Sequence, residues 1–311
     1  MSTKTLIKAT GLNRFFGQYQ AVNNIDLTLQ QGEVLGLLGP NGAGKSTTMQ
    51  MLTGNISPSS GEISINGIDL LTHPQRAKAS IGYLPEQPPV YRDMTVVEFL
   101  KYCAVLHDIP KQKNQKALDV ALERCNLHDV KKKLISSLSK GYQQRVGIAQ
   151  AILHQPAVVI LDEPTVGLDP IQITQIRALI RELGRDHSVI LSTHILPEVQ
   201  AVCDRVQIIN KGKTVFSDSF DQLSKKDASS NITLAFESNN NIHIPTLEKI
   251  NGVETVKVLS HNRYQLQYSD HSEPSALFEL AVKQGWNLIE LTPETNTLEQ
   301  IFMNLIHTDT A

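Results

Sequence analysis

The stretch Gly39-Pro40-Asn41-Gly42-Ala43-Gly44-Lys45-Ser46 sets glycines, a lysine and a hydroxyl at the spacing G-x-x-x-x-G-K-[ST]. Gly39, Gly42 and Gly44 let the backbone wind so that successive N–H groups point at a polyphosphate. Lys45 reaches the outer phosphates, and the Ser46 hydroxyl is a hard oxygen that suits Mg²⁺. A helix beginning near Lys45 adds its positive dipole end. Gly212-Lys213-Thr214 repeats only the end of the pattern. Gln207 stands where its first glycine is needed, and Gly212 suits a hairpin turn.

Asp162-Glu163 follows the apolar run at 157–161. Side chains alternate along a strand, so adjacent carboxylates aim differently. One can hold magnesium through water while the other faces an attacking water. Leu138-Ser139-Lys140-Gly141-Tyr142-Gln143-Gln144-Arg145 opens a helix whose apolar face carries Val146, Ala149 and Leu153. Its free N–H groups make a second anion site, although helix capping by Ser139 accounts for that residue equally well.

These residues need a scaffold. The runs at 34–38, 157–161 and 188–191 are continuously apolar, as expected of parallel strands covered on both faces. Each ends in chemistry: the glycine turn, Asp162-Glu163, and Ser192-Thr193-His194. Ligands of open α/β sheets bind beyond the carboxyl ends of the strands, so the three ends predict one shared site. By contrast, Ile25, Leu27 and Leu29 alternate with polar residues, and Ile63 and Ile65 repeat that pattern before Asn66-Gly67, predicting antiparallel strands. Residues 96–134 predict a helical insertion. Polar composition over 222–230 predicts a linker. Beyond it, a strand at 232–236, helix at 246–250, strands at 254–259 and 264–268 about a His261-Asn262 turn, helix at 275–284 and strand at 286–291 give the β-α-β-β-α-β order of a ferredoxin-like domain. A closing helix at 297–306 places Leu298, Ile301, Phe302 and Leu305 on one face.

At roughly 150 residues per domain, 311 residues suggest two domains. Lys plus Arg total 29 against 31 Asp plus Glu, a net charge of −2 that argues against nucleic acid as a partner. No run of 18 apolar residues predicts a transmembrane helix. The start, Met1-Ser2-Thr3-Lys4-Thr5, predicts no secretory leader. Cys103, Cys125 and Cys203 lie far apart, as in a reduced chain without structural zinc or a disulfide framework.

The phosphate loop, LSKGYQQRV before AVVILDEP, Gly167-Leu168-Asp169-Pro170 and His194 together resemble an ATP-binding cassette (ABC) ATPase over about residues 4–225. Within that family, IGYLPEQPPVYRDMTVVEFL, LSTHILPEVQAVCD and the closing TLEQIFMNL resemble ABC-2-type exporter subunits of the gliding-motility-associated and multidrug subgroup. The resemblance implies a P-loop cassette at 1–225, with a parallel core sheet, an antiparallel β subdomain and a helical subdomain at 90–137. A ferredoxin-like α+β domain then occupies 230–311.

It also implies roles. Gly39, Asn41, Gly42, Gly44, Lys45, Ser46 and Thr47 would bind the ATP phosphates. Phe16 would stack on adenine, with Phe15 or Tyr19 as alternatives. Ser46, Asp162 and Glu86 would hold Mg²⁺, Gln87 replacing Glu86 if the loop shifts. Glu163 would polarise water, His194 would sense the γ-phosphate, and Lys45 would complete the catalytic set. Ser139 and Gly141 would close on the ATP of a second cassette, and Asp169 would couple the two sites. The partners implied are a second copy or a paralogous cassette and a separate integral membrane permease, with the chain cytoplasmic and peripheral on the inner membrane face. Two departures stand out: Glu86 occupies the usual glutamine position, and Lys140 and Tyr142 alter a signature whose Ser139 and Gly141 are kept. An importer ATPase with a regulatory C-terminal domain and a non-transport cassette acting on ribosomes or DNA are the alternatives. The Glu86 context and the tail favour export.

Overall fold

The computed structural model describes residues 4–226, 230–237, 244–250, 252–260, 262–268, 275–294 and 297–307. The chain forms two compact units, Met1–Phe220 and Asp221–Ala311.

The first unit opens with β1 (Thr5–Phe16) and β2 (Tyr19–Gln30), an antiparallel pair whose alternating apolar residues, including Leu12, Ile25, Leu27 and Leu29, are buried. Next come β3 (Val34–Leu38), buried throughout, and α1 (Lys45–Leu52). β4 (Ser60–Ile65) and β5 (Ile68–Asp69) complete a sheet of order β2-β1-β4-β5. Their turn needs two residues with positive φ, and Asn66 (φ 51) and Gly67 (φ 78) supply them. α2 (Pro74–Lys78) leads to β6 (Ile81–Leu84).

α3 (Val96–Leu106) starts at a capping box in which Thr95 and Glu98 satisfy each other's backbone N–H. α4 (Lys111–Arg124) follows, so the stretch 96–134 is largely helical, and α5 (Lys140–Ile152) comes after it. The remaining elements are β7 (Val158–Asp162), α6 (Pro170–Leu183), β8 (Ser188–Thr193), α7 (Leu196–Val202), β9 (Arg205–Asn210) and β10 (Lys213–Asp218). They close a second sheet, β10-β9-β3-β8-β7-β6, parallel except for the β9–β10 hairpin.

The strand runs are continuously apolar because both faces are covered. Val159 and Leu161 of β7 pack with Phe99, Leu122 and Val146 of the helices. Val158 and Ile160 pack with Leu12, Leu27 and Ile63 of the antiparallel sheet. A slip of one residue between β7 and β8 would exchange the two cores, so the register that aligns the strand ends is strongly specified.

α8 (Phe220–Lys226) begins on the last residue of the first unit, and the second unit goes on with β11 (Ser230–Phe236), α9 (Ile244–Leu247), β12 (Val253–Ser260), β13 (Arg263–Tyr268), α10 (Ser275–Gln284), β14 (Leu288–Glu294) and α11 (Leu298–His307). Its sheet runs β12-β13-β11-β14, antiparallel throughout. Ile232, Leu234 and Phe236 alternate into a core with Leu247, Tyr264, Leu266 and Leu277. The β-α-β-β-α-β order is present with shifted bounds. The helix expected at 246–250 is α9, and Trp286 packs on the core just before β14. Residues 222–226 of the expected linker are helical, with Leu223 buried. Residues 1–3 of the expected leaderless start, 227–229 of the linker and His261 of the turn lie outside the described residues.

Candidate functional site

The glycine loop leaves β3 and returns into α1. Gly42 (φ 79) and Gly44 (φ 104) are left-handed, which L side chains rarely adopt. Gly39 serves differently: a Cβ there would lie 2.2 Å from the Ile209 carbonyl oxygen, so what it supplies is room. No side chain caps the first turn of α1, leaving its N–H groups to whatever binds. The Lys45 ammonium, 5% exposed, donates to the carbonyls of Gly39 (2.9 Å) and Pro40 (3.3 Å) and lies 3.4 Å from Glu163 Oε1.

β7 and β8 bring the acidic pair to this loop. Ser46 Oγ donates to Asp162 Oδ1 at 3.4 Å, and Ser192 Oγ, one strand over, donates to the same oxygen. Burial, with the Asp162 charge adding to it, pushes the nearby Tyr83 phenol up to about 12. Glu163 is aimed by its own backbone (φ 47), not by strand alternation. Its N–H donates to Ser192 O (3.1 Å) and Ser192 Oγ (3.2 Å), which holds the left-handed turn in place. His194 Nδ1 stands 3.0 and 3.2 Å from the two Glu163 carboxylate oxygens.

A cleft of about 440 Å³ gathers most of the expected site residues: Phe16, Asn41, Gly42, Gly44, Lys45, Ser46, Thr47, Glu86, Glu163 and His194. Tyr19 also lines it; Phe15 and Gln87 do not. Phe16 is 47% exposed, so it is no core aromatic, and the Arg14 guanidinium sits 4.7 Å from its ring centroid. Ser139, Gly141 and Asp169 are absent from this lining. Ser139 occupies the N-cap position of α5 yet makes no side-chain cap bond, so capping does not account for its hydroxyl. Gly141 packs against the Gln172 side chain, and Lys140 lies over Gly167. Asp169 caps α6, accepting from Gln172 N–H at 2.8 Å.

Sequence reasoning named Tyr19 as an alternative to Phe16 and Ser192-Thr193 as a strand end, but it missed the bond from Ser192 Oγ to Asp162 and the buried Glu198 that pairs with Thr193 (Oγ1 to Oε2, 2.8 Å). Serine and threonine closing a strand carry no local signal beyond their place next to His194.

A parallel sheet with a glycine loop after one strand and an acidic pair after another defines a P-loop ATPase. The family described as ABC transporter matches residues 22–166. The bacitracin transport ATP-binding protein BcrA of Bacillus licheniformis is 35% identical over 305 residues, covering 97% of each chain. The uncharacterized ABC transporter ATP-binding protein YxlF of Bacillus subtilis is 32% identical over 309 residues, covering 97% of this chain and 100% of that one. The solved structure of CbiO1 from Clostridium perfringens, part of the ABC transporter complex CbiONQ, superposes with a TM-score of 0.65 at 30% identity. It covers 71% of this chain and 91% of its own. The chain belongs to the ABC transporter family as an ATP-binding subunit, and it is an ATPase. Among the described residues no helix is long and apolar enough to cross a membrane.

Proposed function

We propose that this chain is the cytoplasmic motor of an ABC-2-type export system, two copies closing around two ATP and driving a separate membrane permease. The observation that carries the catalytic reading is the Glu163 carboxylate, held on a left-handed backbone between Lys45 and His194 at the mouth of the phosphate loop. Export is supported by the resemblance of the segment around Glu86 and of the closing TLEQIFMNL to exporter subunits.

In this reading Phe16 stacks on the adenine, and the N–H groups of residues 41–47 cradle the phosphates. The arriving phosphate takes over the Lys45 ammonium, which releases Glu163 Oε1 to accept a hydrogen bond from the attacking water. His194 keeps the carboxylate in place and reports on the terminal phosphate. Ser139 and Gly141 present the N-terminus of α5 to the ATP of the partner copy, and Asp169 joins the two sites.

Ser46 and Asp162 supply hard oxygens 3.4 Å apart, and Glu86 lines the same cleft, a donor set that fits Mg²⁺. Among the described residues no group of three or more His, Cys, Asp or Glu side chains forms a metal cage, so the remaining ligands fall to phosphate and water. Bound there, Mg²⁺ would neutralise charge on the transferring phosphoryl group.

The test is Glu163→Gln in the purified chain. ATP binding stays, turnover falls at least about 100-fold, and light scattering shows an ATP-dependent dimer. Near-wild-type hydrolysis refutes the base assignment. A substrate-binding protein copurifying with the assembly would overturn export.

A further inference from the structure

Glu198 is a carboxylate in the core. It is 1% exposed, on α7 among Leu196, Val199 and Val202. Burying a charge costs several kcal/mol unless it is paired and hydrogen-bonded, and a leucine would fill such a position without that cost. Its partners are therefore informative. Oε2 accepts from Thr193 Oγ1 at 2.8 Å, and the same threonine oxygen accepts the Ile195 N–H at 3.1 Å. These two bonds clasp the turn on either side of His194. Oε1 faces Arg177 Nη2 of α6 at 3.6 Å, and both Glu198 Oε1 and Arg177 Nε are buried without a hydrogen-bond partner. Helix α6 is the one capped by Asp169. Eight residues, roughly 12 Å along the helix, separate that cap from Arg177.

We propose that Glu198 is a positioning residue for hydrolysis: through Thr193 it fixes the turn that presents His194 to Glu163, and through Arg177 it ties that turn to the helix begun by Asp169. This rests on the role proposed for His194. The 3.6 Å Arg177–Glu198 contact, with a buried polar atom on each side chain left without a hydrogen-bond partner, is the part of the clasp with room to tighten. The Thr193–Glu198 bond is the part already made.

The experiment is steady-state ATP hydrolysis by the purified full-length chain, with ATP affinity and thermal midpoint measured alongside. Thr193→Val keeps the shape and removes the hydroxyl. Glu198→Leu keeps the volume and removes the acceptor. Each lowers kcat about 10-fold while KM for ATP stays within about two-fold, because the clasp acts on the catalytic step and not on binding. Thr193→Ser restores kcat to within about two-fold of wild type. The double variant Thr193→Val/Glu198→Leu is no slower than the slower single, since both remove one interaction. Wild-type kcat in Thr193→Val, multiplicative losses in the double variant, or a Thr193→Ser enzyme as slow as Thr193→Val each overturn the proposal. So does a fall in ATP affinity that matches the fall in kcat. His194→Ala separates the two levels: if it hydrolyses ATP at the wild-type rate, the role of His194 fails. If it is slow while Thr193→Val is not, only the clasp fails.

Discussion

His194 Nδ1 bridges both carboxylate oxygens of Glu163, at 3.0 and 3.2 Å, across the ends of two adjacent parallel strands. The two residues lie 31 positions apart in sequence. Their meeting depends on the β7–β8 register, in which Asp162 pairs with Ser192. An Nδ1 that donates to a carboxylate fixes the tautomer and orientation of the ring. The pair is thereby ordered by the sheet before any nucleotide enters.

Glu86→Gln should keep substantial activity, within about three-fold of wild type. Glu86 lines the cleft, glutamine would keep an oxygen there, and the charge is secondary because Asp162 already stands against Ser46 of the same lining. Steady-state hydrolysis at saturating Mg²⁺ checks it. Complete loss would give the carboxylate a role that oxygen ligation does not explain.

Phe16→Ala should raise KM for ATP about 5- to 100-fold with kcat nearly unchanged, the range expected when one stacking platform is removed. Phe15→Ala should leave KM alone, since Phe15 does not line the cleft. Tyr19, 62% exposed and in the same lining, is the competing platform. A KM change in Tyr19→Ala and none in Phe16→Ala would transfer the role.

Gly44→Ala should destabilise the fold by about 1–3 kcal/mol and weaken ATP binding. Its φ of 104 strains any side chain, and the new Cβ would lie 2.6 Å from the Ala21 carbonyl oxygen. Gly42→Ala carries strain alone, since nothing lies within 4 Å of a Cβ there, and should cost less. Equal shifts in thermal midpoint would mean that the contact with Ala21 contributes nothing.

Stability should fall in mild acid through His154. Burial, reinforced by the His107 ring stacked 4.0 Å away, pushes His154 down to about 4 from 6.5, against the raising effect of its bond to the Ile81 carbonyl. The folded value lies below the unfolded one. The unfolded chain therefore takes up the proton first as pH falls, and stability is full above 6.5, drops between 6.5 and about 4, and levels off below. The amplitude is roughly 1–3 kcal/mol. Urea unfolding of wild type and His154→Gln across this window checks it: a difference between the two that does not vary with pH would contradict the assignment.

What is legible in the sequence is what is local. The glycine loop, Asp162-Glu163 and the three apolar runs are contiguous, so neighbouring letters alone disclose their chemistry and their strand ends. The clasp around His194 is not legible, because Thr193 and Glu198 are ordinary residues until α7 folds back beside β8. Strand alternation, which the letters suggest, does not set the direction of Glu163, and nothing in Asp-Glu announces a positive φ. Residues 222–226 read as linker because their one apolar residue, Leu223, shows no helical period, although α8 covers them.

The left-handed backbone at Glu163 has an evolutionary consequence. A β-carbon in that region costs on the order of 1 kcal/mol, which glycine there would recover. Variants selected for heat resistance alone should drift toward glycine or asparagine at this position and surrender the carboxylate. Here durability and work pull the sequence in opposite directions, and retention of glutamate in a stability-selected library would report that hydrolysis was under selection too.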